Sequence, residues 1–302
     1  MSAFSHPLLD PVRMEMLRRI RLAPHGSAEG AYAGQHPSHY RGSAVEFADF
    51  REYSPGDDIR ILDWKVFART DRYYVRQFEA ERNLLTYCAI DCSGSMAFSG
   101  VNRKTHSKYQ HAATIAAALA YTVVREGDEM GMTLAGGRDS AQVPLQGGWQ
   151  HLSRMVDLLA EATPGGTARL GECLREMHLR AGRRGTVIVL SDFLALDEAF
   201  WNAVNLFRKA RFDVIMFQIV HPEEVALPEV AMGRFVGTEG EAERFDVAPE
   251  EVAESYRAAF HRHVTGMEAH AQQRGCAWFL ARTDADPYLF LKQCLLAREC
   301  AP

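Results

Sequence analysis

No stretch of this sequence is apolar for long enough to cross a bilayer. The longest near-apolar run, AATIAAALAYTVV at residues 112–124, is Ala-rich and well short of the ~20 residues a spanning helix needs. The opening MSAFSHPLLDPVRMEMLRRI has neither the apolar core nor the small-residue cleavage site of a secretory signal. The expected compartment is therefore the cytoplasm. Cysteine is sparse too. Cys88, Cys92, Cys173, Cys276, Cys294 and Cys300 form no C-x-x-C and no framework spacing, so reduced thiols are expected instead of a disulfide scaffold. Positive charge is not in excess. A net charge of −5 and a pI of about 6.2 exclude a global field for nucleic acid or anionic lipid. The local clusters RMEMLRRIR and RAGRRG read as solvated helix or turn surfaces. H-E-x-x-H, G-x-x-x-x-G-K-[ST] and G-x-S-x-G are all missing. The pairs His36/His39 and His261/His263 lack cysteine or acidic companions at zinc spacing.

What is present is the composition of a folded globular chain, 47% hydrophobic and 24% charged over 302 residues. That length suffices for one large domain with an appendage or two modest ones. From about Leu84 onward, short continuous apolar runs alternate with helical periodicity. LLTYCAID, MGMTLA, TVIVLSDF, DVIMFQIV and CAWFLA read as strands, and SAQVPL as an edge strand because Pro144 removes a donor. Helices are expected over 107–126, 149–162, 168–181, 196–210, 249–274 and 287–297. This rhythm predicts an α/β fold with a doubly wound, mainly parallel sheet and helices on both faces.

Two segments break the rhythm. Residues 43–81 alternate apolar and polar about an SPGDD turn, which predicts short antiparallel strands. Residues 227–247 read as an inserted hairpin with a polar TEGEAER tip. Together they are expected to form a small β-rich lobe. The organisation predicted is an N-terminal helix and loop over 1–42, the β-rich lobe over 43–82, and an α/β domain over 83–302 with the insertion at about 225–248. Trp64 reads as a core anchor between the lobes. Arg51, Arg60 and Arg69 with Asp57, Asp58 and Asp63 read as an ion-pair network.

The chemistry-bearing stretch is LLTYCAIDCSGSM, residues 84–96. A buried strand ends in Asp91, and Ser93 and Ser95 follow at alternate positions around the small Gly94. In open α/β sheets ligands bind outside the carboxyl ends of strands. An all-oxygen, part-charged set suits a hard cation such as Mg²⁺. Thr167, after the glycine pair in TPGGTAR, and Asp192, ending VIVLSD, are placed to add to the shell. Singly, Ser93, Ser95, Thr167 and Asp192 read more readily as helix caps than as ligands. Asp91 with the other four in order favours a metal site.

These five positions, Asp91-x-Ser93-x-Ser95 with Thr167 and Asp192, resemble the metal-ion-dependent adhesion site (MIDAS) of von Willebrand factor type A (vWA) domains. That resemblance implies a vWA/Rossmann-like fold. It also implies direct ligation by the serines and threonine, acids acting partly through water, and a partner's Glu or Asp completing the shell. The block FREYSPGDDIRILDWKVFARTDRYYVRQFEAE, followed by IDCSGSM and later HPEEVALP, is similar to the domain of unknown function 58 family. That family resembles partners of MoxR-type AAA+ ATPases.

The resemblance implies a Mg²⁺- or Mn²⁺-dependent protein-binding adaptor, not an enzyme, working with such an ATPase or its client in complex assembly or maturation. No nucleic-acid partner and no membrane span are expected. The alternative is a Mg²⁺-dependent hydrolase of phosphate esters at the same strand end, with His106 and Lys108 as the nearby bases to consider. Against it, aspartyl-phosphate chemistry wants a second acid two residues after the first, and that position is Ser93.

Overall fold

Strands buried on both faces need apolar side chains at successive positions, and the central strands of this chain have them. The computed structural model describes residues 6–22, 45–53, 62–80, 84–101, 106–136, 141–182, 184–228, 233–236, 244–247 and 249–299. It divides into two compact units, Met1–Ser27 with Leu84–Pro302, and Ala28–Asn83.

The larger unit begins with a short helix, α1 (Pro11–Met14), capped by Asp10 and continued by a 3-10 turn, Glu15–Leu17. The smaller unit pairs β1 (Val45–Glu52) antiparallel with β2 (Tyr74–Ala80), with a bulge between Phe47 and Asp49. Between these strands lies a helix the sequence reading missed, α2 (Trp64–Thr70). Asp63 caps it by accepting from the Lys65 and Val66 N–H groups, and Asp71 ends it in the left-handed region. Trp64 is therefore not the expected core anchor. It is the first residue of a surface helix, 60% exposed, lying edge-on to Phe67. Of the expected ion-pair network, Arg60, Asp57 and Asp58 fall outside the described residues, as does the SPGDD turn.

The large sheet is built from β3 (Leu85–Asp91), β4 (Glu129–Ala135), β5 (Gln142–Gln146), β6 (Thr186–Ser191), β7 (Asp213–Val220) and β10 (Ala277–Arg282), in the order β10-β7-β6-β3-β4-β5. All its pairs are parallel except β4 with β5, the antiparallel edge that holds Pro144. The remaining helices are α3 (Lys108–Arg125), α4 (Trp149–Glu161), α5 (Leu170–Arg180), α6 (Glu198–Lys209), α7 (Pro222–Val225), α8 (Pro249–Gln273) and α9 (Pro287–Glu299). The inserted hairpin is β8 (Gly233–Val236) with β9 (Arg244–Val247), antiparallel; its expected TEGEAER tip lies outside the described residues.

Strand periodicity sorts the core into two layers. Cys88, Ile90, Ile188, Leu190, Ile215 and Phe217 pack with residues of α3, α4 and α9. Their neighbours Tyr87, Ala89, Val187, Val189, Val214 and Met216 pack with α5, α6 and the end of α8. Helices on both faces of a mainly parallel sheet confirm the predicted fold class. The described cysteines are free thiols, mostly buried. Burial pushes Cys92 and Cys276 up to about 11, so neither is a reactive thiolate at neutral pH.

The helix layer over α5 is tight. A Cβ on Gly171 would lie 2.7 Å from the Phe200 backbone nitrogen and 2.8 Å from the Ala199 carbonyl carbon. Gly171→Ala therefore has to force α5 away from α6. The expected cost is about 1–3 kcal/mol, read as a lowered urea midpoint with an unchanged slope. A stability equal to wild type would show that the two helices separate freely.

Candidate metal centre

Strand order decides where a site can form. From β3 the chain moves outward to β4 and β5, then crosses back to place β6 on the other side of β3. The connections thus diverge between β3 and β6, and the crevice at their carboxyl ends is the topological switch point. Asp91 ends β3 and Asp192 follows β6, so the two acids flank that crevice.

Each acid is buried and held at both oxygens. Asp91 Oδ1 accepts from the Ser93 N–H at 2.9 Å, and Oδ2 accepts from the Ser191 hydroxyl at 2.6 Å. The Ser191 oxygen in turn accepts from the Phe193 N–H at 2.9 Å. Asp192 Oδ1 accepts from Leu194 N at 3.2 Å, and its Oδ2 from the Lys108 ammonium at 2.7 Å. Phe193 sits between these bonds at φ 56° with its ring buried against Phe200. A bulky side chain in the left-handed region is uncommon and strained. Here the buried ring and the paired oxygens on either side hold it.

The hydroxyls are positioned by the turn that follows β3. Ser93 and Ser95 are buried, with Oγ atoms 3.1 Å apart. The Thr167 loop is stitched to this turn through backbone groups: Gly94 N donates to Gly166 O and Gly165 N to Cys92 O, both at 2.9 Å. Gly136, at φ 92°, completes the seam. A Cβ there would lie 3.1 Å from the Thr167 carbonyl oxygen and 3.3 Å from Ser93 N, so a side chain would wedge the two loops apart. Thr167 itself is exposed, and its hydroxyl makes no hydrogen bond among the described residues. The structure thus brings Asp91, Ser93, Ser95 and Asp192 to one crevice, with the loop of Thr167 at its rim.

The capping alternatives fare poorly. Ser93 stands at the N-cap of a 3-10 turn, Gly94–Ala97, with no side-chain cap bond. The N-cap of α5 is Arg169, not Thr167. Asp192 closes a local turn onto Leu194, and the next helix is capped by Asp197.

Electrostatics marks the crevice as short of positive charge. Burial, and then the nearby Asp192 charge, push Asp91 up to about 6, against hydrogen bonds from Ser191 and Ser93 that pull it down. Lys108 is fully buried. Burial alone would lower its pKa, but the charges and hydrogen bonds of Asp192 and Glu224, the latter at 2.5 Å, outweigh this and raise it. A protonated, doubly paired ammonium is no general base.

A divalent cation fits what is there. The donor set is oxygen only. In an octahedron with bonds of about 2.1 Å, adjacent ligands lie roughly 3 Å apart, which is the spacing of the two serine hydroxyls. Among the described residues no cluster of three or more His, Cys, Asp or Glu side chains is arranged to hold a metal. The candidate shell is accordingly two acids with hydroxyls, a hard-ion site and not a zinc or copper one.

Sequence reasoning missed Ser191, Lys108's pairing and Glu224. Ser191 had a signal, since it is a hydroxyl in an otherwise apolar strand end, VIVLS. Glu224 lies in the HPEE turn. There His221 N donates to Glu224 Oε2 at 2.8 Å, and Val101 N donates to Glu223 Oε2 at 2.7 Å, tying α7 to the loop after Asp91.

Residues 49–269 match the family model described as "Protein of unknown function DUF58". An uncharacterized protein of Mycobacterium tuberculosis, Rv1480, is 31% identical over 224 residues, covering 73% of this chain and 69% of that protein. Among solved structures, the hypothetical protein BatB of Bacteroides thetaiotaomicron is similar with a TM-score of 0.44 and 15% identity over 72% of this chain and 100% of that one. The VWA domain of SpRpn10 is similar with a TM-score of 0.40 and 11% identity over 71% of this chain and 94% of that one.

Proposed function

The chain belongs to the DUF58 family, and from that starting point we propose that it is a Mg²⁺-dependent protein-binding adaptor with a metal-ion-dependent adhesion site. The observation that carries this reading is the pair of buried serine hydroxyls, 3.1 Å apart beside two buried acids at the switch point. Asp91, Ser93, Ser95, Thr167 and Asp192 would hold the ion. When bound, Mg²⁺ or Mn²⁺ supplies a Lewis-acidic position that accepts one further carboxylate from outside.

The chain's own residues supply the rest. The Ser191 hydroxyl and Ser93 N–H hold Asp91 in one orientation, and Lys108 and Leu194 hold Asp192. Burial keeps competing water off the acids. The exposed Thr167 and Leu194 form the rim that an incoming side chain meets. The partner in this reading is a protein presenting Asp or Glu, a MoxR-type AAA+ ATPase or its client, as the family resemblance implies. Among the described residues no helix is long and apolar enough to cross a membrane. Hydrolysis is disfavoured because the buried amine beside the acids is held protonated.

The test is affinity capture from the source organism with wild type and Asp91→Ala, each in Mg²⁺ and in EDTA. A partner held only by wild type in Mg²⁺ is expected, and an AAA+ ATPase in that fraction would identify the assembly. Capture that survives both the substitution and EDTA would rule out an adhesion-site mechanism.

A further inference from the structure

Lys108 is costly where it stands. It is fully buried, and it occupies the first position of α3 after the Ser107 cap. The helix dipole disfavours a cation there. The cap does not need an ammonium at that position, since the Ser107–Gln110 capping box closes the helix without it. What holds it is a two-sided clamp: Asp192 Oδ2 at 2.7 Å and Glu224 Oε1 at 2.5 Å. The side chain therefore joins the metal crevice to the HPEE turn, two places 32 residues apart in sequence (192 to 224).

Resting on the metal-site reading above, we propose that Lys108 is a resident counter-cation that sets the affinity of the site for divalent ions. Asp91, Asp192 and Glu224 bring three carboxylates to this part of the molecule, and Lys108 offsets one of them. The remaining charge is matched by one divalent ion. By engaging Asp192 Oδ2, the ammonium also keeps that acid from giving its full charge to the metal. The bound ion stays electron-poor, ready for an external carboxylate. Glu224 is the counterweight: it shares the ammonium and so limits how strongly Lys108 repels an ion in the crevice.

This makes a prediction opposite in sign to that of a merely structural role. Deleting a buried salt-bridge member that only braces the site would loosen it and weaken metal binding. Deleting a resident cation removes a repulsion acting over a few ångströms at reduced dielectric, and binding tightens. Lys108→Met should bind Mn²⁺ on the order of tenfold more tightly than wild type, read from the electron paramagnetic resonance signal of free Mn²⁺ and checked by Mg²⁺ calorimetry.

If Lys108→Met does not fold, the comparison passes to Glu224→Gln and the double variant Lys108→Met/Glu224→Gln. The double variant leaves no ammonium to be orphaned. It should bind Mn²⁺ roughly tenfold more tightly than Glu224→Gln alone. Folded Lys108→Met with affinity equal to or below wild type overturns the proposal and leaves the metal site standing, as does a double variant no tighter than Glu224→Gln. Wild type that binds no Mn²⁺ at millimolar concentration overturns both this proposal and the metal reading beneath it.

Discussion

Asp91→Asn is expected to make the metal-free protein more stable while abolishing its response to Mg²⁺. The sign follows from the raised pKa. The folded chain holds the Asp91 proton more tightly than the unfolded chain does, with a pKa of about 6 against 3.8. Protonation therefore favours folding, and the wild-type protein in EDTA loses stability from this group as pH rises from about 4 through 6. At pH 7.5 the loss is complete. Asparagine carries no charge to bury and none to repel Asp192, so the variant should be more stable there by roughly 1–3 kcal/mol. Well below pH 3.8, where the aspartate is protonated in both states, the advantage should shrink toward zero.

Millimolar Mg²⁺ reverses the order. An ion bound by the folded state alone stabilises it by roughly 3 kcal/mol at a hundredfold excess over Kd, and only wild type should gain. Thermal melts of both proteins at two pH values, with EDTA or Mg²⁺, give the full square. A variant that keeps the Mg²⁺ shift, or that is less stable than wild type in EDTA at pH 7.5, would be fatal to the assignment of Asp91 as a charged ligand.

The second large effect is expected at the far end of the same sheet. Arg298, near the end of α9, pairs with Asp213 at the start of β7, and both are buried. Such a pair contributes little compared with apolar residues of the same shape, but removing one member takes an opposite charge away from the other, which stays buried. Arg298→Met should cost about 3–5 kcal/mol, lowering Tm by roughly 10 °C. Adding Asp213→Asn should recover part of that loss, because it removes the buried charge that Arg298 had balanced. A double variant as unstable as the sum of the singles would show that the pair acts through packing and not through charge.

Much of the fold was legible because buried parallel strands advertise themselves. TVIVLSDF and DVIMFQIV are too short for helices and too apolar for surfaces, and each became a central strand, β6 and β7. The candidate acids were legible for the same reason, since a carboxylate at the end of such a run has few other uses. α2 was not legible. WKVFART carries its apolar residues at spacings that also suit an exposed strand, and its start is fixed by a cap bond from Asp63 that composition does not announce. The clamp on Lys108 could not be read at all. Its two acids come from 84 and 116 residues away, and only the closure of the sheet brings them together. Ser191 was hidden by its neighbour: attention to the terminal acid of VIVLSD passes over the hydroxyl that orients the other acid.

The N-terminal segment has a consequence for how the chain is made. Asp10 N and the Leu8 carbonyl both bond the Tyr288 hydroxyl at 2.9 Å, and Leu9, Met14, Leu17 and Ile20 are buried in the layer that α9 completes. Contacts spanning 280 residues close only when the last helix has left the ribosome, roughly 15–60 s after their first member at ordinary elongation rates. For that interval the segment's apolar side chains lack their final neighbours and stand open to misassociation.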